Sequence, residues 1–226
     1  MKSFVLATAL FSAPLAYALP GVVAKPLPKG CSSYPGYDKN SDIAGPWTLK
    51  STNTDNPTIE NHGNTAVFSL SYNSPIDQYP TLRRGYITFS VKDNQALTPL
   101  QCSNGTLNVR GATTYNQDHF ATDYVWTPLT LSPAKYDAGL MWKVPDGEPV
   151  KLFEHYFTNG TKQNGYFLGG YENSTTWGFT YLPRDQGSSG WDYFYIRLLG
   201  PNSADPVTGS ALGANETKGF VRIYNF

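Results

Sequence analysis

Tyr86-Ile87-Thr88-Phe89-Ser90-Val91 sets Ile87, Phe89 and Val91 on one side of the chain and Thr88 and Ser90 on the other. Apolar and polar residues that alternate one for one mark a strand with a single buried face, because successive side chains of an extended backbone point to opposite sides. Similar runs recur through the sequence. Short stretches rich in β-branched and aromatic residues, separated by turn formers, predict strands near 66–72, 86–92, 106–110, 123–126, 140–144, 150–157, 166–169, 177–182, 191–199 and 220–224. No convincing helical period follows residue 18, and no fixed-length repeat points to a propeller or solenoid. The expected fold is all-β: a single-domain antiparallel β-sandwich, jelly-roll-like, or a β-barrel.

Turn chemistry supports this reading. Asn104-Gly105 and Asn159-Gly160 lie between strand-like residues and predict type I′ hairpin turns, in which both central residues take positive φ. Asp146-Gly147, bracketed by Pro145 and Pro149, predicts a slightly longer loop. Residues 201–218 are small and polar and read as a long exposed loop, whereas 219–226 are too strand-like for a tail and should pair inside the sheet.

Residues 1–18 read as a signal peptide, with Lys2 at the positive end, an apolar stretch over 4–16 and a small-residue cleavage site at Ala16-Tyr17-Ala18. The apolar stretch carries Pro14 and falls short of the roughly 20 residues a spanning helix needs. Residues 19–45 form an extended Pro/Gly-rich segment, and 46–226 the single β domain. The expected location is secreted, extracellular or associated with a cell wall, with no membrane span.

Composition narrows the partners. Hydrophobic residues make up 40% of the 226 and charged residues only 15%, enough apolar surface for a core and too little charge for a disordered tail. Lys plus Arg and Asp plus Glu number 17 each, so no concentrated positive field is available for nucleic acid or an anionic membrane. Arg83-Arg84 reads as the start of a strand rather than a dibasic processing site. Export makes the two cysteines, Cys31 and Cys102, an expected structural disulfide, since neither has a CxxC partner. It also makes the sequons at Asn104, Asn159, Asn173 and Asn215 expected glycosylation sites.

Catalytic signatures are weak. The histidines are His62, His119 and His155; Asp118 and Glu154 adjoin the last two, but neighbours on a strand point to opposite faces, so Glu154 and His155 do not converge on one ion. No metal or cofactor is expected. The stretch 186–190 resembles a nucleophile turn in passing, yet lacks the strand-to-helix setting such a serine requires. Two-carboxylate glycoside chemistry cannot be read from spacing; Glu154, Glu172 and Asp192 are its candidates, with Glu154 first because aromatics flank it. Aromatic density in the second half suggests sugar stacking instead. On 191–197, Ile196 marks the core face, which leaves Trp191, Tyr193, Tyr195 and Arg197 as an expected ligand-binding platform on the outer or groove face.

The resulting expectation is a secreted, N-glycosylated, non-catalytic protein that binds a polysaccharide or an extracellular protein partner at a cell wall or host surface. The alternatives are a glycoside hydrolase or polysaccharide lyase on a jelly-roll sheet, and a small-molecule carrier with an apolar barrel cavity.

Overall fold

A computed structural model describes residues 19–68, 85–91, 97–115, 121–135, 137–144, 146–186, 191–200 and 212–225. The leader at 1–18, Arg83-Arg84, Asp118, His119, residues 187–190 of the serine-rich turn and 201–211 of the long loop lie outside the described residues.

The strands are β1 (Val22–Pro26), β2 (Tyr37–Asp38), β3 (Ile43–Thr52), β4 (Asn64–Phe68), β5 (Gly85–Ser90), β6 (Leu100–Ser103), β7 (Thr106–Tyr115), β8 (Ala121–Leu131), β9 (Asp137–Trp142), β10 (Glu148–Pro149), β11 (Lys151–Phe157), β12 (Phe167–Gly169), β13 (Thr176–Leu182), β14 (Tyr193–Leu199) and β15 (Glu216–Asn225). Nine of them close an antiparallel barrel, in the order β3, β6, β7, β8, β9, β5, β14, β13, β15 and back to β3. Of the two architectures the alternation allowed, the barrel is the one formed. Closure runs through β15, which pairs with β3 from Phe220↔Thr52 to Asn225↔Trp47 and with β13 and β12 on its other edge. The strand-like C-terminal run is therefore a hub of the sheet, and the ring presents no open edge.

Two parts of the N-terminal half differ from their sequence reading. Gly45-Pro46 interrupts β3 and hides it from a strand search; the structure places a register shift between Ala44 and Trp47, so that a residue without an N–H falls at the irregularity. The Pro/Gly-rich segment is extended and also paired, since β1 runs along β11 from Val22↔Phe157 to Pro26↔Phe153. Farther on, the Cys31–Cys102 disulfide, with Cα atoms 5.5 Å apart, ties the turn at Cys31–Ser33 to β6.

The barrel is filled from its inward faces. Trp47, Phe89, Trp142, Trp177 and Phe179 are each 1% exposed or less. Trp142 fits only because Gly85 on the neighbouring β5 and Gly111 on β7, beyond β8, carry no side chain: a Cβ on Gly85 would lie 1.8 Å from its ring, and one on Gly111 2.9 Å from its indole nitrogen. On β5, Ile87 and Phe89 face inward as their alternation predicts. Thr88 and Ser90 are also buried, which the reading as a half-buried strand does not anticipate. Their polar atoms are accommodated: the Thr88 hydroxyl donates to the Thr65 carbonyl at 3.3 Å, and the His62 ring bonds the Ser90 carbonyl at 2.7 Å.

The turns follow their residues. Asn104 and Gly105 have φ of 51° and 71°, giving the type I′ turn between β6 and β7. At Asn159-Gly160 only the glycine is left-handed, with φ 83°, and its N–H donates to the Phe157 carbonyl at 2.8 Å. This is a type I turn closed by a left-handed glycine, the three-residue alternative to the expected type I′. The Asn159 side chain accepts from the Thr161 N–H at 2.9 Å, a local bond that favours it. Asp146, at φ 59°, makes the expected turn after β9, but β10 then pairs with β8 and β11 leaves the ring for β1 and β12.

Candidate functional site

β14 alternates as its sequence predicts. Cross-strand pairing puts Ile196 beside Phe179 and Leu198 beside Trp177 on the inward face, with Tyr193, Tyr195 and Arg197 on the outward one. Outward is not exposed in this case, because Tyr193 and Arg197 keep only 4% and 6% of their surface. In register, Arg197 lies between Gly178 of β13 and Gly139 of β9. The Glu216 carboxylate folds over the first glycine and the Tyr195 hydroxyl over the second, where an added Cβ would come within 2.1 Å and 2.7 Å of their oxygens. The guanidinium donates through Nε to Glu216 Oε1 at 2.6 Å, through Nη2 to Oε2, and through Nη1 to Asp137 Oδ1 at 3.0 Å. Such a fork matches a carboxylate in geometry as well as charge. Burial first, and then the Asp137 charge, push the Tyr195 hydroxyl well above the usual tyrosine range. Of the expected platform of Trp191, Tyr193, Tyr195 and Arg197, Trp191 is 50% exposed and presents a broad surface, while Arg197 is held in an internal ion network.

The three candidate acids stand on different elements, each with its own partners. Glu154 on β11 accepts from the Lys162 ammonium at 2.5 Å and the Tyr156 hydroxyl at 2.6 Å. Lys162 first, then Tyr156, hold its carboxyl below the usual range, the direction opposite to the one a general acid requires. Glu172, in the 3-10 turn at Tyr171–Asn173, pairs with Lys135. Asp192 accepts the Arg184 N–H at 2.9 Å and the Tyr181 hydroxyl. Among the described residues no group of three or more His, Cys, Asp or Glu side chains gathers in a way that would hold a metal.

His155 is fully buried, stacked on Phe167 at 3.8 Å between ring centres and edge-on to Phe220 at 4.5 Å. Gln163 donates through its amide nitrogen to Asn53, so its oxygen faces the histidine and Nδ1 carries the proton. Nε2 then accepts from the Thr175 hydroxyl at 2.8 Å. Every polar atom of the neutral ring is satisfied, and burial lowers its pKa to about 4. Thr175 is also the third residue of the Asn173 sequon, so its hydroxyl serves the interior.

The large side chains that remain exposed lie elsewhere. On β8, Tyr124 and Trp126 are 53% and 38% exposed and, two residues apart, share one face. Opposite them on β7 stand the small Ala112 and an exposed Arg110. By sequence, Trp126 is one member of the aromatic-rich second half and carries no further mark. The overlooked signal is Tyr124-Val125-Trp126 itself, three large apolar residues in succession on a strand, which one buried face cannot absorb; Val125 is 46% exposed as well. Tyr181 near the end of β13 and Trp191 just before β14 are 44% and 50% exposed. Asn104, Asn159, Asn173 and Asn215 all have exposed side chains. Among the described residues no helix is long and apolar enough to cross a membrane. No protein-family model matches the chain, and no curated protein matches it.

Proposed function

We propose that this protein acts outside the cell as a glycosylated, non-catalytic binder of a polysaccharide at a cell wall or host surface. The observation that carries the reading is the exposed pair Tyr124 and Trp126 beside Arg110 on the outer face of the β7–β8 hairpin. Flat aromatic faces receive the C–H faces of sugar rings, and an arginine at the edge supplies hydrogen-bond donors for hydroxyl groups. A rigid barrel holds both rings at fixed spacing, so little conformational entropy is lost on binding. The Cys31–Cys102 disulfide supports an oxidising compartment.

The test is depletion from solution by insoluble chitin, cellulose and β-glucan. At least one polymer is expected to remove the wild-type chain, and the Tyr124→Ala/Trp126→Ala double variant should stay in the supernatant. A wild-type chain that remains in solution over all three polymers would overturn the reading.

A further inference from the structure

Lys50 of β3 and Arg222 of β15 are direct partners in register, on the outward side of the barrel. The Lys50 ammonium lies 5.1 Å, and the Arg222 guanidinium carbon 4.5 Å, from the centre of the same Tyr224 ring. All three side chains are half-buried. Like charges placed directly opposite on neighbouring strands destabilise a sheet. Among the described residues no carboxylate forms an ion pair with either cation. The same arginine carries a second unfavourable feature, since its Nε is buried without a hydrogen-bond partner among the described residues. Gly165, at φ 112°, explains the burial: its backbone lies so close that an added Cβ would come within 2.5 Å of Nε.

The like-charge repulsion at this spot is relieved by an anion. An oxyanion seated between the two cations would neutralise the pair and accept charge-assisted hydrogen bonds from the guanidinium fork and the ammonium. Because the chain balances 17 basic against 17 acidic residues, such attraction is local, and salt weakens it over a Debye length of about 8 Å. We propose that Lys50, Arg222 and Tyr224 form an oxyanion subsite that takes the carboxylate or sulfate group of an acidic sugar; the sugar part of this assignment rests on the polysaccharide reading above.

The subsite is tested first with inorganic sulfate. Thermal unfolding of the full chain in sodium sulfate, against sodium chloride at matched ionic strength, should show a saturable rise in Tm for the wild type that Arg222→Gln and Lys50→Gln each abolish. An equal rise in all three proteins is the general exclusion effect of sulfate and overturns the subsite. Calorimetric titration with a galacturonate oligomer, a sulfated glucan oligomer and a neutral glucan oligomer then separates the two sources of the anion. One acidic oligomer should bind about tenfold more tightly than the neutral one, with the preference absent in Arg222→Gln. Sulfate stabilisation without binding of any oligomer would keep the subsite and sink the polysaccharide reading. Oligomer binding of equal strength to the wild type and both variants would do the reverse.

Discussion

Arg197 and Arg222 stand on the outward faces of β14 and β15, the two strands that flank β13, and their surroundings are opposite in kind. Arg197 has glycine on both neighbouring strands, and the room they leave is filled by Asp137 and by Glu216, whose side chain is only 1% exposed. Arg222 has Lys50 on one side and Phe167 on the other, and a buried Nε without an acceptor. The first arginine is a closed electrostatic unit whose every charge is answered within the sheet. The second, among the described residues, has the Tyr224 ring but no carboxylate, and its Nε has no acceptor. Burial of an arginine therefore carries no functional meaning by itself; what matters is whether neighbouring strands supply its acceptors.

The sharpest way to break this comparison is to delete the closed unit. Arg197→Met leaves Glu216 buried without a countercharge and should lower stability by about 3–5 kcal/mol in urea unfolding. Adding Glu216→Gln to that variant should recover part of the loss. A loss below about 1 kcal/mol would show that the network does not hold the fold.

His155, packed on Phe220 of β15, extends the closed class to a neutral group. Its folded pKa of about 4 lies below the ordinary 6.5, so as pH falls between these values the unfolded chain takes up a proton that the folded chain refuses. Stability should be full above the upper value and decline toward the lower, by a total on the order of 3 kcal/mol. The Glu154 and Asp38 carboxyls are also held below their usual range, so the stability they contribute is lost as pH falls through the ordinary carboxylate values. Urea midpoints for wild type and His155→Gln across that window would measure the effect, and parallel pH profiles for the two proteins would contradict it.

Arg222→Met should move stability in the other direction, or not at all. Removing an unsatisfied donor and a like-charge contact is expected to be neutral or stabilising by up to about 1 kcal/mol. A loss comparable to that of Arg197→Met would erase the difference between the two sites. The smallest effect belongs to Tyr124→Ala, which touches an exposed ring and should change stability by within about 0.5 kcal/mol while weakening retention on the matching polysaccharide.

The legibility of the chain differed between its periodic and its assembled features. Within the strands that formed, 85–90 and 193–199, alternation divided inward from outward residues, because side-chain direction along a strand is a local property. The same alternation could not tell an outward residue from an exposed one. Arg197 is sealed by Asp137, Gly139, Gly178 and Glu216, which come from three other strands and are brought to it only by register. Strand β3 escaped notice for a local reason, the Gly45-Pro46 interruption, which tertiary pairing overrides by placing it at a bulge. The turn at Asn104-Gly105 was readable in full; that at Asn159-Gly160 was not, since an Asn-Gly pair serves both two- and three-residue loops and the bond from Thr161 to the Asn159 side chain decides between them.

By itself the sequence determined an all-β chain, the inward face of its regular strands, and the pairing of its only two cysteines. These follow from period-two patterning and from composition, which act over a few residues or need no partner choice. Tertiary structure decided that the sheet closes into a barrel through β15 and β3, that Glu154, Glu172 and Asp192 are held by separate partners, and that exposed aromatic surface lies at Tyr124 and Trp126 rather than along β14. It also placed Lys50 opposite Arg222, residues far apart in the chain. The physical reason is common to all four: exposure, charge pairing and closure depend on strand register, and register is a property of the whole sheet.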